Sequence, residues 1–332
     1  MSIGDEFAQR LAADEIIVLD GAVSTELQRR GVPVDLISWF GSANLEYLNV
    51  VQAMHEDYIR AGAEVIIANT HSTSRAGLEP AGLGDRVAEI NRKAVEAALR
   101  ARDAAAGSRS VAVAGSISSF IPSGMGSDDH TDLRNLATFQ EQAGILANAG
   151  VDLIALEMMD SSCYGLEAVQ AATETGLPVW LGMSPIRFPS GRLGTYAADT
   201  PCIMPTEDTE DSDSFVKLVQ AYVDVHPNLA AVFLMHVELG VISEGLEILR
   251  AHFPGTTLGV YAEVGHWQPP NWEFADLSPA QYLTHAQGWA DAGVQIIGSC
   301  CGTGPDFSRA LSEGLPKHVR AGHSHAEQGA KS

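Results

Sequence analysis

The chain has 332 residues, 45% of them apolar and 19% charged, enough apolar surface for a substantial core. Its longest strictly apolar stretch, Leu229–Met235, falls far short of the ~20 residues of a membrane span, and its acid-bearing start lacks the basic flank of a signal peptide, so a cytoplasmic protein is expected. Forty-two acidic against 20 basic residues leave a net charge of −22, which excludes phosphate backbones and anionic membranes as expected partners.

Short β-branched apolar runs recur along the chain: IIVLDGA (16–22), VIIANTH (65–71), VAVAGS (111–116), DLIALEM (152–158), PVWLGMS (178–184), AVFLMH (231–236), LGVYAE (258–263) and QIIGSCC (295–301). Their near-continuous apolar character predicts strands buried on both faces, as in a parallel sheet. Helix-like stretches lie between most of them, and several end in Gly just before the next strand. Eight strands alternating with helices predict an α/β fold, a single (β/α)8 TIM barrel over residues 1–316. The segment 317–332 has no apolar periodicity and is expected to be a disordered tail, its His318, His323 and His325 included.

Three connections, 117–133, 185–213 and 264–277, are long and rich in Gly, Pro, Ser, Asp and aromatic residues. They follow strands three, five and seven, which places them at the C-terminal mouth where barrels carry their chemistry. The strands themselves end in polar residues: Asp20-Gly21, Asn69-Thr70-His71, Ser116, Glu157, Ser184, His236, Glu263 and Cys300-Cys301. In a barrel these converge on one bowl.

The Cys300-Cys301 pair inside GSCCGTGP is the sharpest feature. Successive strand residues point to opposite faces, so both sulfurs reach one point only where the strand bends, and Gly298, Gly302 and Gly304 supply that freedom. Two thiolates with one further ligand leave a tetrahedral position open, the pattern of a catalytic zinc, and His236 is the expected third ligand. A pair of inert buried cysteines or a strained vicinal disulfide is the alternative. Cys163 could compete for the site, and Cys202 lies in a long loop.

Three segments, LDGAVSTELQRRG, ANTHSTSRAGL and GSCCGTGPDF, resemble the homocysteine S-methyltransferase family over roughly residues 15–310. That family includes betaine–homocysteine and S-methylmethionine–homocysteine enzymes and the homocysteine domain of methionine synthase. The resemblance implies a (β/α)8 barrel, a zinc held by three sulfurs, and an acceptor thiol. It places the family's adjacent cysteines at Cys300 and Cys301, its acceptor-binding Asp-Gly at Asp20-Gly21, and its strand-four Glu at Glu157. Four positions depart from the family pattern: His71 for an aromatic residue, Met158 for Thr, His236 for Cys, and Glu263 for Asn. A zinc held by two thiolates and a neutral imidazole is neutral where three thiolates leave it anionic, hence a stronger Lewis acid.

The expected function is zinc-dependent transfer of a methyl group from a sulfonium or quaternary ammonium donor to a small thiol, homocysteine or a relative. The departures, above all the added charge of Glu263, predict an acceptor preference other than homocysteine. The alternative on the same barrel is a zinc-dependent lyase or hydrolase of a small cationic substrate, with Glu157 or Glu263 as base. Asp20, Gly21, Asn69, Thr70, His71, Ser116, Glu157 and Tyr261 are the expected substrate contacts. Tyr261, Trp267 and Trp272 are candidates for an aromatic wall around an onium group, and Arg187 and Arg192 for a carboxylate. The expected partners are small molecules, and a homo-oligomer stays open.

Overall fold

Eight short strands carry the architecture: β1 (Ile17–Val18), β2 (Val65–Ile67), β3 (Ala112–Ser118), β4 (Leu153–Glu157), β5 (Val179–Met183), β6 (Ala231–Met235), β7 (Thr257–Ala262) and β8 (Ile296–Ser299). They pair in the order β1-β8-β7-β6-β5-β4-β3-β2, every pairing parallel. A parallel bridge between Leu19 and Val65 joins the two ends of that row and closes the ring. The computed structural model describes residues 2–119, 133–160, 162–195, 214–225, 229–268, 271–274 and 276–319.

Each strand is followed by a helix: Leu48–Arg60, Val87–Ala105, Leu136–Ala149, Ser162–Thr173, Ser214–Val225, Ile242–His252, Pro279–Asp291 and Pro305–Gly314. The expected (β/α)8 barrel is therefore the observed fold. Helix boundaries follow local chemistry. Ser278 and Gln281 form a capping box ahead of Pro279, and Gly150, at φ 98°, ends the helix Leu136–Ala149 in the left-handed conformation glycine favours.

The continuous apolar runs are explained by two cores, one on each face of the sheet. Alternate residues such as Ile17, Leu19, Ala155, Trp180, Phe233 and Tyr261 fill the barrel. Their neighbours in sequence, Val18, Ile154, Leu156, Val232, Leu234 and Val260, face the helices. Inside the barrel Trp180, Phe233 and Tyr261 pack in a row, the first pair tilted and the second edge-to-face, with centroids 5.1 and 5.6 Å apart. Helix Ile3–Ala12 plugs the other end, with Phe7 and Leu11 joining the interior cluster.

Two of the long connections contain antiparallel hairpins, Ile186–Arg187 with Leu193–Gly194 and Gly265–Gln268 with Asn271–Phe274. Residues 120–132 and 196–213, including Cys202, lie outside the described residues. So does 320–332, with His323 and His325. Residues 317–319, placed in the tail by their lack of periodicity, run against the chain start. The Ile16 amide donates to the Lys317 carbonyl at 2.8 Å, the Val319 amide to the Asp14 carbonyl at 3.0 Å, and Val319 is buried. Backbone pairing needs no apolar repeat, so sequence periodicity carried no trace of it.

One core residue makes the fold acid-sensitive. His55, on the helix Leu48–Arg60, is fully buried and neither ring nitrogen has a hydrogen-bond partner among the described residues. Burial, reinforced by the positive charge of Arg30, lowers its pKa to about 4. Folding therefore favours the neutral ring, so the associated stability is present above the unfolded pKa of ~6.5 and is lost as pH falls towards the folded value. Unfolding free energy should drop by about 3 kcal/mol from this group between pH 6.5 and 4. Denaturant melts across that range should show a shallower slope in His55→Leu; equal slopes would assign the acid sensitivity to other groups.

Candidate active site

The strand-end residues converge at the C-terminal mouth, and two rules of backbone geometry decide how. Residues sharing the parity of the interior core, such as Glu157 on β4, Tyr261 on β7 and Cys300 after β8, follow their strands inward. His236 has the opposite parity, directly after the inward Met235. A left-handed turn, φ 49°, brings it back to the mouth. Met158 after β4 makes the same turn at φ 54° and joins the interior cluster. Cys301 is bent back by Gly302, at φ 88°, where any Cβ would stand 2.9 Å from the Val264 carbonyl carbon.

His236, Cys300 and Cys301 thereby meet. The two sulfurs are 3.8 Å apart, and His236 Nδ1 is 3.7 Å from Cys300 Sγ and 3.5 Å from Cys301 Sγ. Among the described residues this is the group of three or more His, Cys or acidic side chains whose donor atoms are close enough to share a metal ion. A tetrahedral zinc with Zn–S of about 2.3 Å and Zn–N of about 2.05 Å requires edges of about 3.8 Å for S···S and about 3.6 Å for S···N. The donor triangle already has those dimensions.

Glu263 Oε2 lies 3.1 Å from His236 Nδ1. Burial works against the His236 cation, but Glu263 and Cys300 outweigh it and raise the pKa to about 9. Within the thiol pair, the contact from Cys301, helped by His236, lowers Cys300 to about 5, and Cys300 in turn pushes Cys301 up.

The expected acceptor contacts separate into two sets. Glu157, buried, sits at the centre of the first: Tyr261 Oη donates to its Oε1 at 3.1 Å, His71 Nδ1 lies 3.3 Å from Oε2, and Ser116 Oγ also donates to Oε2. Burial raises its pKa, but these partners outweigh burial and hold it below the usual value. Asp20 accepts the Ile67 amide at 2.8 Å; burial, aided by Glu157 and Cys300, pushes its carboxyl well above the carboxylate range. Gly21 is required by Tyr58, whose ring a Cβ would approach to 2.9 Å.

Asn69 and Thr70 form the second set, and both are engaged with the protein itself. Asn69 Nδ2 donates to the Phe40 carbonyl and to Asn44 Oδ1, while Thr70 Oγ1 donates to the Ser116 carbonyl and accepts the Ser116 amide. These bonds tie neighbouring segments of the mouth together. Arg187, a carboxylate candidate by sequence, is taken by Glu244 and two loop carbonyls. The Trp267 and Cys163 side chains lie outside the described residues.

Sequence reasoning missed two mouth residues. Trp39 packs edge-on to Trp272 at 6.4 Å, and Trp272 packs edge-on to the His236 ring at the same distance, so two indoles adjoin the donor cluster. Trp39 sits at φ 56° in a loop whose sequence carries no signal of that role. Asp160 is buried after β4, its Oδ1 accepting the Ser184 amide at 2.7 Å, and burial raises its pKa to about 7. Its place just past the strand-end Glu157 was the available signal.

Comparison with known proteins gives the family and the fold. The homocysteine S-methyltransferase family profile matches residues 17–315. The chain is 28% identical to betaine–homocysteine S-methyltransferase 1 of Bos taurus, covering 92% of this chain and 74% of that one. It is 24% identical to a selenocysteine Se-methyltransferase of Brassica oleracea, covering 90% and 88%. The structure of the homocysteine methyltransferase MmuM of Escherichia coli in its metallated form superposes with a TM-score of 0.65 at 25% identity, over 90% of this chain and 96% of that one. With the closed barrel, the Cys pair at the end of β8 and a match running through every strand, the chain belongs to the homocysteine S-methyltransferase family and is an S-methyltransferase.

Proposed function

We propose that the protein transfers a methyl group from a sulfonium or quaternary ammonium donor to a small thiol, homocysteine or a close relative, with zinc held by His236, Cys300 and Cys301. The observation that carries the reading is the donor triangle, whose three edges match a tetrahedral zinc. Zinc there would lower the pKa of an acceptor sulfur brought to it, so that no protein base is needed. The family membership favours methyl transfer over a lyase or hydrolase on the same barrel.

The chain's own residues then bind, orient and exclude water. Glu157, kept ionised by Ser116, His71 and Tyr261, is the anionic anchor for an acceptor ammonium. Asp20, pushed towards its neutral form by burial and then by Glu157, lies beside that anchor, where an arriving ammonium would favour its ionised form. Glu263 faces the same His236 nitrogen that would ligate zinc, so with zinc bound the imidazole is neutral and the Glu263 carboxylate stands as an anion beside the metal, where it orients the ring and favours a cationic group over an acceptor carboxylate. Trp39 and Trp272 offer aromatic surface beside the cluster for the positive end of the donor. The acceptor thiol loses its proton to solvent; in the transfer its thiolate sulfur forms a bond to the methyl carbon as the carbon–onium bond breaks. The electron pair of that bond stays with the leaving atom, which departs as a neutral sulfide or tertiary amine, so the thiolate's negative and the donor's positive charge cancel.

Metal analysis should find about one zinc per chain, falling sharply in Cys301→Ala and retained in His236→Cys, which restores a three-sulfur set. Metal-free wild type after zinc-supplemented expression would overturn the zinc assignment. For activity, S-methylmethionine, betaine and dimethylsulfoniopropionate should be paired with homocysteine and other small thiols and the thioether product detected by mass. No methylated thiol from any pair would overturn the reading. Tyr261→Phe removes one donor from Glu157 and should cost about 1–2 kcal/mol in kcat/KM for the acceptor, with little change in donor KM. An effect confined to the donor would remove Glu157 from acceptor binding.

A further inference from the structure

We propose that Arg29 is a positioning residue for the thiol pair, its guanidinium clamping the turn on which Cys300 and Cys301 are presented. Four successive carbonyls of that turn each find a donor. Thr303 Oγ1 donates to the Cys300 carbonyl at 2.7 Å and the Val264 amide to the Cys301 carbonyl at 2.8 Å. The next two depend on one side chain: Arg29 Nη2 donates to the Gly302 carbonyl at 2.5 Å and Nη1 to the Thr303 carbonyl at 2.7 Å. Gly302 and Gly304 in this stretch carry no side chains to hold the backbone.

The approach of Arg29 is itself built in. A Cβ on Gly304 would stand 3.2 Å from both Arg29 Nη1 and Glu26 Oε2, so the glycine leaves the guanidinium its place. Glu26 Oε2 lies 3.5 Å from Nη1 within the same helix, Ser24–Arg29. The Phe274 ring faces the guanidinium at 5.0 Å. Phe274 belongs to the hairpin whose Trp272 packs on His236. Arg29 thus touches both the thiol turn and the hairpin beside the third donor. The planar fork suits two neighbouring acceptors at once, whereas a lysine ammonium supplies a single point. Arg30, the next residue, pairs with Glu26 and Asp57 and, among the described residues, makes no bond to the turn, so it serves as a control.

The metal consequence rests on the zinc reading above, but the clamp does not, and the test separates them. Arg29→Ala, Arg29→Lys and Arg30→Ala in the full chain should be compared by chelator competition for zinc, by the visible spectrum of the cobalt-substituted protein, and by hydrogen exchange of the 299–304 peptide in metal-free protein. Arg29→Ala should weaken zinc binding by about tenfold, alter the cobalt spectrum, and speed exchange in that peptide. Arg29→Lys should fall between it and wild type, and Arg30→Ala should match wild type in all three. Arg29→Ala that is folded yet keeps wild-type exchange overturns the clamp. Faster exchange with unchanged zinc affinity overturns the positioning role. Should wild type bind no zinc, the zinc reading fails and exchange alone decides the clamp.

Discussion

His236 occupies a left-handed backbone conformation, and the donor cluster depends on it. Strand parity would send its ring outward into the helix layer, one residue after Met235 enters the barrel. The turn costs on the order of 1–3 kcal/mol for a residue other than glycine and persists only where its surroundings enforce it. Here the surroundings are the His236 amide, which donates to the Tyr261 carbonyl, and Glu263 against the ring. Trp39 and Met158 share the same unusual conformation. Three of the four such residues among those described therefore gather at one end of the barrel, where chemistry rather than stability explains strain.

The mouth also separates its acids by the donors each receives. Glu157 has three donor side chains around it and is held ionised, while Asp20 and Asp160, each with a backbone amide, are pushed towards neutrality by burial. Carboxyl groups within one bowl therefore differ in charge state because the hydrogen-bond supply differs. On the acceptor reading proposed above, that division suits an ammonium near one end of the bowl and a sulfur near the Cys pair. It also explains why Ser116, Tyr261 and His71, from three different segments, converge on a single side chain.

Much of this was legible in the residues alone. Eight apolar runs buried on both faces and alternating with helices fit a closed parallel barrel better than an open sheet, and the strand-end polar residues then share one rim because every strand points the same way. The adjacent cysteines between glycines announced a bend, and His236 was named as their partner from its strand-end position. What the chain could not announce was direction at the scale of a single side chain. Asn69 and Thr70 carry the same strand-end signature as His71, yet they bond to Phe40, Asn44 and Ser116. The strand-end position of Glu263 does not disclose that its carboxylate faces an imidazole. Trp39 and Arg29 lie more than 200 residues from the elements they serve. Periodicity reports which face of an element is apolar, so it determines the barrel and the rim. Which polar groups on that rim meet each other depends on loop closure and left-handed turns between distant segments, and only the packed tertiary structure decides those.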